Sequence, residues 1–226
     1  MNSPTTQSLL LIGLPYASMV VFIAGLIWRY RARMTISSLS SQMLESRWLA
    51  WGAVPFHLGI ITLALGHIVP LLAPGWWQSV VSHPKALLTV ETIGAAAAML
   101  ALAGLVILFV RRLVSPALRP ATTAVDLLVL GILILQVGLG LGVATMYRWG
   151  SVWSIRTTTP YLWSLLTLRP DPAYVSGFPL LITLHLAGAW IVLALIPFTR
   201  LVHMFSVPVG YLARPPQKVV WVTGRR

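Results

Sequence analysis

The stretch Phe56-His57-Leu58-Gly59-Ile60-Ile61-Thr62-Leu63-Ala64-Leu65-Gly66-His67 decides the fold. It lies inside an apolar segment, about 49–72, long enough to cross a hydrocarbon layer, which takes about twenty residues of helix. Two histidines within such a segment call for an explanation. An ionisable side chain is costly inside a bilayer and usually serves a function there. The chain carries two more near its other end, His185 and His203, around a second apolar segment.

The composition agrees with this reading. Hydrophobic residues make up 58% of the 226 and charged residues 9%, far from the balance of a water-soluble domain. The formal charge of +12 does not point to nucleic acid. The basic residues sit in short clusters between apolar segments, where they set orientation in a membrane. Cysteine is absent, which excludes disulfides, thiolate metal sites, iron–sulfur ligation and covalent c-type haem attachment in this chain. Any metal or cofactor falls to histidine, methionine or carboxylate.

The expected fold is an all-α integral membrane protein, a single membrane domain over 1–226. Its five transmembrane helices lie at about 9–28, 49–72, 86–110, 125–145 and 178–199, with a tail over 206–226. No Lys or Arg precedes the first span, whereas Arg29, Arg31 and Arg33 follow it. A secretory signal peptide has the opposite charge order, so the first span is expected to be an uncleaved helix with its N-terminus outside. Alternation then places twelve Lys and Arg residues on the cytoplasmic side. The remaining four of the sixteen, Lys85, Arg148, Arg156 and Arg169, fall outside. That asymmetry puts the C-terminus in the cytoplasm.

Between the spans, residues 34–47 form a polar, Ser-rich cytoplasmic loop with a short surface helix expected at 41–45. Pro70 and Pro74 mark the end of the second span, and Trp76 and Trp77 are placed at the outer interface, where indoles gather. The third span is rich in small residues, which admit a neighbouring helix or a flat macrocycle. The loop at 146–177 is long, and its apolar part, 161–168, reads as a short helix lying along the interface.

Depth pairs the histidines. His57 lies toward the cytoplasmic end of the second span and His67 toward the outer end. The fifth span runs the other way, so His185 matches His67 and His203 matches His57. A single intramembrane histidine is more often a hydrogen-bonded helix partner, but four matched by depth point to two bis-histidine irons. Such ligation fills both axial positions and leaves electron transfer as the chemistry. On straight helices ten residues rise about 15 Å and eighteen about 27 Å. The two ladders thus differ by about 12 Å, and His57 and His67 sit roughly 80° apart around their axis. Pro197 is expected to bend the fifth span. His83, beside Pro84 in the outer loop, has no depth-matched partner and reads as a solvated histidine.

Arg111 and Arg112 either pair with haem propionates or simply anchor the third span on the basic side. Asp126 suits the first turn of a helix. Glu91 reads as a proton carrier or a helix-end carboxylate. The glycines of the fourth span read as helix-packing devices.

Together these stretches resemble the gamma subunit of respiratory nitrate reductase, a dihaem cytochrome b membrane anchor. The matching segments are Ser-Ser-Gln-Met-Leu at 40–44, the Phe56–His67 stretch, Arg-Arg-Leu-Val-Ser-Pro at 111–116, Thr-Thr-Ala-Val-Asp at 122–126 and Leu-His-Leu at 184–186. The longest is Pro-Phe-Thr-Arg-Leu-Val-His-Met-Phe-Ser-Val-Pro-Val-Gly-Tyr-Leu at 197–212. The resemblance spans nearly the whole chain. It implies two haem b groups, one on His67 and His185 and one on His57 and His203, in a multi-pass protein of a prokaryotic inner membrane. It implies oxidation of a quinol, menaquinol or ubiquinol, near the outer haem. Electrons would pass inward to an iron–sulfur beta subunit and then to a molybdenum alpha subunit on the cytoplasmic side, the basic tail serving as a docking segment. Lys85, with His67, is the implied quinol-site residue, its alternative being a lysine that reaches to lipid headgroups. The same scaffold also suits a related dihaem cytochrome b anchor, such as a sulfite-reductase-associated or heterodisulfide-type one. A non-redox transporter with incidental histidines is the third class.

Overall fold

The computed structural model describes residues 4–32 and 47–205, with no strand among them. The surface helix expected at 41–45 and the tail over 206–226 lie outside the described residues. Without water, every backbone N–H and C=O in a lipid core must be satisfied within the segment, so each span is a helix. Five helices are long and apolar enough to cross a membrane: Thr6–Arg31, Trp48–Leu72, Pro84–Val114, Ala124–Met146 and Leu180–Phe198. These agree with the expected spans to within a few residues. Their outward faces are apolar, with Ile61 and Leu65 on one helix and Leu128 and Leu135 on another all exposed, as lipid contact requires.

The first span begins in a short helical turn, Pro4–Ser8, passes through a π turn at Leu9–Gly13 and continues as α1, Leu14–Arg31. Then follow α2 (Arg47–Leu72), α3 (Pro74–Val81), α4 (Pro84–Val114), α5 (Ala124–Met146), α6 (Thr158–Leu166) and α7 (Leu180–Leu195). Neighbours pack in the order α2, α4, α5, α7, α1, and α2 faces α7 where His67 meets His185.

Small residues bring α2 and α4 together, as expected where apolar attraction alone cannot distinguish helix from lipid. A Cβ added at Gly59 would lie 2.5 Å from the Ala97 carbonyl oxygen and 2.6 Å from the Ala101 nitrogen. One added at Gly104 would lie 2.6 Å from the Gly52 oxygen. Between α4 and α5 the core is Ala98, Ala101, Leu105, Val129, Leu133 and Val137.

One end of the bundle gathers arginines. Arg29 donates to the Pro197 carbonyl at 2.7 Å, and Arg112 and Arg200 both reach Asp126. The opposite end carries α3, α6 and the tryptophans Trp76, Trp77, Trp149, Trp153 and Trp163. There the short helix expected in the long loop is α6, with one face packed on the bundle and Trp163 and Leu166 exposed on the other. Tyr161 and Leu165 are fully buried against Leu11 and Val175. The Tyr161 hydroxyl donates to the Leu11 carbonyl within the π turn, at 2.7 Å, and Tyr16 donates to Leu165 at 3.1 Å. Burial pushes the Tyr161 phenol up to about 12, so it remains a donor across the ordinary pH range. Trp76 is exposed, but Trp77 is buried and donates to the Ser151 carbonyl at 3.1 Å. Its indole packs against the protein, whereas that of Trp76 is open to the surroundings.

The fifth span also departs from expectation. Its α-helix stops at Leu195 and passes into 3₁₀ turns at Ile196–Phe198 and Arg200–Phe205. Pro197 has no N–H to continue the ladder. Thr199 is fully extended, φ −125° and ψ 178°. The chain therefore breaks at this point instead of bending gently, and His203 sits on a separate short turn.

Candidate functional site

Two histidine pairs join α2 to the fifth span and the turn after it. The ring centroids of His57 and His203 are 6.1 Å apart, those of His67 and His185 6.3 Å. The pairing by depth is the one expected from antiparallel helices. The break at 196–199 explains why the 12 Å mismatch between straight ladders does not prevent it. Residues beyond Leu195 no longer follow the helix axis, so His203 is free to come level with His57.

Each ring is held by the same device. Nδ1 of His57 bonds to the Ala53 carbonyl at 2.7 Å, Nδ1 of His67 to Leu63 at 2.7 Å, and Nδ1 of His203 to Arg200 at 2.6 Å. Nδ1 of His185 bonds to the Gln136 carbonyl at 3.1 Å. A carbonyl can only accept, so each Nδ1 is the protonated nitrogen, and Nε2 is left with its lone pair. This is the tautomer and orienting bond of a metal-binding imidazole.

Metal–imidazole bonds of about 2.0–2.1 Å place the two ring centroids of a bis-histidine metal roughly 6 Å apart. Both pairs have that spacing. Among the described residues no three of His, Cys, Asp and Glu converge as a metal site. Each pair therefore supplies only two ligands, which suits an iron whose other four ligands come from a flat macrocycle.

The surroundings of the pairs differ. His57 and His203 border a cavity of about 350 Å³ with an apolar wall that includes Phe56, Val129 and Leu133. Arg111, Arg112, Asp126 and Arg200 line it as well. Arg111 is 3% exposed. Arg112 donates to Asp126 at 3.2 Å, so that carboxylate already engages one of the two arginines considered for propionates. Asp126 does occupy the first turn of α5, forming a capping box with Thr123, but it also binds Arg200 through both oxygens, at 2.7 and 3.2 Å.

Among the described residues His185 has no hydrogen bond to a charged side chain; its partner is Gln136. The His185 ring lies over Gly140, where an added Cβ would be 2.8 Å from Cε1. Gln136 donates to the His185 carbonyl at 2.9 Å while its own carbonyl accepts from Nδ1. Gly188 leaves room for the Gln136 amide oxygen. Sequence reading passed over Gln136, although it is the one amide side chain of the fourth span. It also treated Gly140 only as a packing glycine.

Lys85 is exposed in the first turn of α4, and no hydrogen bond joins it to His67 among the described residues. His83 caps that helix, exposed, with Nδ1 3.0 Å from the Ser79 carbonyl. Glu91 accepts from both the backbone and the hydroxyl of Ser151. It thereby ties α4 to the loop that Trp77 also holds.

These features define a multi-pass membrane protein whose second span pairs its two histidines with one on the last span and one on the turn that follows it. The model of the nitrate reductase gamma subunit matches residues 7–222, and the chain belongs to that family. It is 32% identical over 205 residues to the nitrate reductase gamma chain of Bacillus subtilis, covering 89% of this chain and 92% of that one. It is 33% identical over 214 residues to the respiratory nitrate reductase 1 gamma chain of Escherichia coli, with 91% and 93% covered. The nitrate reductase-like protein NarX of Mycobacterium tuberculosis is 32% identical over 207 residues, 89% of this chain but 32% of NarX.

Proposed function

We propose that the chain is the membrane cytochrome b subunit of a respiratory nitrate reductase, oxidising quinol at one face and delivering electrons to partners at the other. The observation that carries this reading is the pair of imidazole couples, 6.1 and 6.3 Å apart, with every Nδ1 engaged by a backbone carbonyl and every Nε2 left with its lone pair. Two b-type haems, when bound, relay single electrons across the bilayer. His57 and His203 would hold the one at the arginine end, His67 and His185 the one at the far end. Positive charge favours the cytoplasmic side, so the arginine end faces the cytoplasm and the N-terminus lies outside. At the arginine end an iron–sulfur subunit would receive the electrons and pass them to a molybdenum subunit. Arg111, buried at the cavity wall, and the remaining N–H groups of Arg112 would neutralise propionates there.

The far end suits a quinol. Close contact of α2 and α4 at Gly59 and Ala101 is lost seven residues further out on each helix. Gly66 and Gly94, which lie there, would accept a Cβ with nothing within 4 Å. Seven residues return to nearly the same face, about 20° short. The space left at these two glycines, on helices that meet closely further in, lies near His67 and would suit the apolar ring of a quinol. Projected across this helix pair, Lys85 lies about 10 Å further out than His67. The two reach one substrate only from opposite ends, as the two hydroxyls of a quinol allow.

The test is quinol-driven haem reduction by Lys85→Ala in the assembled complex. A strong slowing with normal dithionite reduction supports the site. Wild-type kinetics make Lys85 a headgroup contact and remove it from the site.

A further inference from the structure

The carboxylate of Asp126 receives more bonds than a helix cap needs. Thr123 N–H, Arg112 Nη1, Arg200 Nε and Arg200 Nη2 all donate to its two oxygens, at 3.1, 3.2, 2.7 and 3.2 Å. The first of these completes the capping box. The other three come from different elements, α4 and the 3₁₀ turn that follows the break in the fifth span. The side chain is 8% exposed, so this is a largely dehydrated carboxylate between two guanidinium groups.

The identity of the bound arginine matters. Arg200 supplies, through its backbone carbonyl, an acceptor for His203 Nδ1, at 2.6 Å. The turn that carries both residues spans Arg200–Phe205, and runs of 3₁₀ longer than three or four residues are uncommon. It follows an extended residue, so no α-helix continues into it. A bidentate arginine–carboxylate pair has a fixed planar geometry. Here it clamps the first residue of the turn onto the N-terminus of α5, with Arg200 Nη2 also reaching the Ala121 carbonyl at 3.3 Å. The three other histidines need no such clamp. His57, His67 and His185 all lie on intact α-helices.

We propose that Asp126 is a positioning residue for His203. It fixes the Arg200 carbonyl, and through it sets the plane and direction of the imidazole at the arginine-end site. This rests on the dihaem reading above. The residue touches neither iron nor substrate. Its effect should appear as the orientation of one axial ligand, not as a general loss of fold.

The experiment uses the full chain in its assembled complex, with haem content, redox-difference spectra and low-temperature electron paramagnetic resonance. Asp126→Asn keeps the size and one acceptor oxygen but loses the charge and the fork. The expected result is a shifted or broadened low-spin signal of the arginine-end haem, and haem affinity there about tenfold weaker, the low end for a ligand-orienting partner. The far-end signal stays unchanged. Asp126→Glu, which retains the charge, should recover part of the signal. If Asp126→Asn does not assemble, Arg200→Lys supplies the same test. It leaves Asp126 paired with Arg112 and removes only the planar fork, and it should move the same signal. A wild-type signal in Arg200→Lys, or equal disturbance of both haems in Asp126→Asn, overturns the proposal. A wild-type complex whose subunit lacks haem would instead sink the dihaem reading itself.

Discussion

The two histidine pairs have nearly the same internal geometry and very different surroundings. At the arginine end, one histidine rides on a 3₁₀ turn after a helix break, and the cavity wall carries three arginines and one aspartate. At the far end both histidines lie on continuous α-helices. Their neighbours are Gln136, Gly140 and apolar side chains. One site is held by ion pairs and the other by close packing. Equal ring spacing thus arises from two different physical causes, and the two sites should fail in different ways.

The largest expected effect is on the histidines. Replacing His57 or His203 should remove the arginine-end centre alone, and replacing His67 or His185 the far one alone, read by redox titration of the visible bands. Loss of the same centre from His57 and His185 variants would contradict the pairing.

Next is Gly140. Any Cβ there meets the His185 ring at 2.8 Å, and overpacking of this sort costs about 1–3 kcal/mol. Gly140→Val should displace or empty the far site and leave the arginine-end site intact. Equal haem at both sites would show that the ring has room to move.

Charge should separate the two potentials. The excess of arginine over aspartate around the cavity favours the reduced, less positive centre. A unit charge about 8 Å away at an effective dielectric of about 20 is worth about 2 kcal/mol. The arginine-end centre should therefore titrate at the higher potential, and Arg111→Gln should lower it toward the far one. If the arginine-end centre titrates lower in the unaltered protein, the bound propionates outweigh the arginines.

The smallest effect is expected at the far-end loop. Trp163 Nε1 donates to the Leu71 carbonyl at 3.0 Å, so Trp163→Phe loses one hydrogen bond, about 1 kcal/mol. Thermal unfolding of the complex should move by a few degrees, with both visible bands unchanged.

Much of this was legible in the residues. Twenty-residue apolar runs and arginine clusters locate the five spans, because lipid leaves the backbone only the helix. Antiparallel order matches the histidines by depth. The break after Leu195 was only partly visible. Pro197 signals a disturbance, but whether a helix bends or ends depends on the partners waiting beyond it, here Arg29 on the Pro197 carbonyl and Asp126 on Arg200. The loop after α5 was the least legible. Its tryptophans and tyrosines resemble interface anchors in a one-dimensional reading. Only the packed fold shows Trp77 bound to Ser151 and Tyr161 bound to the π turn of the first span. Gln136 and Gly140 act through a helix fifty residues away in sequence, which local pattern cannot reveal.

The central claim is that each histidine pair holds one haem. A pyridine haemochrome assay on the purified complex, normalised to this chain, tests it directly. Two non-covalent b-type haems per chain is the predicted result. None, or one alone, would contradict it.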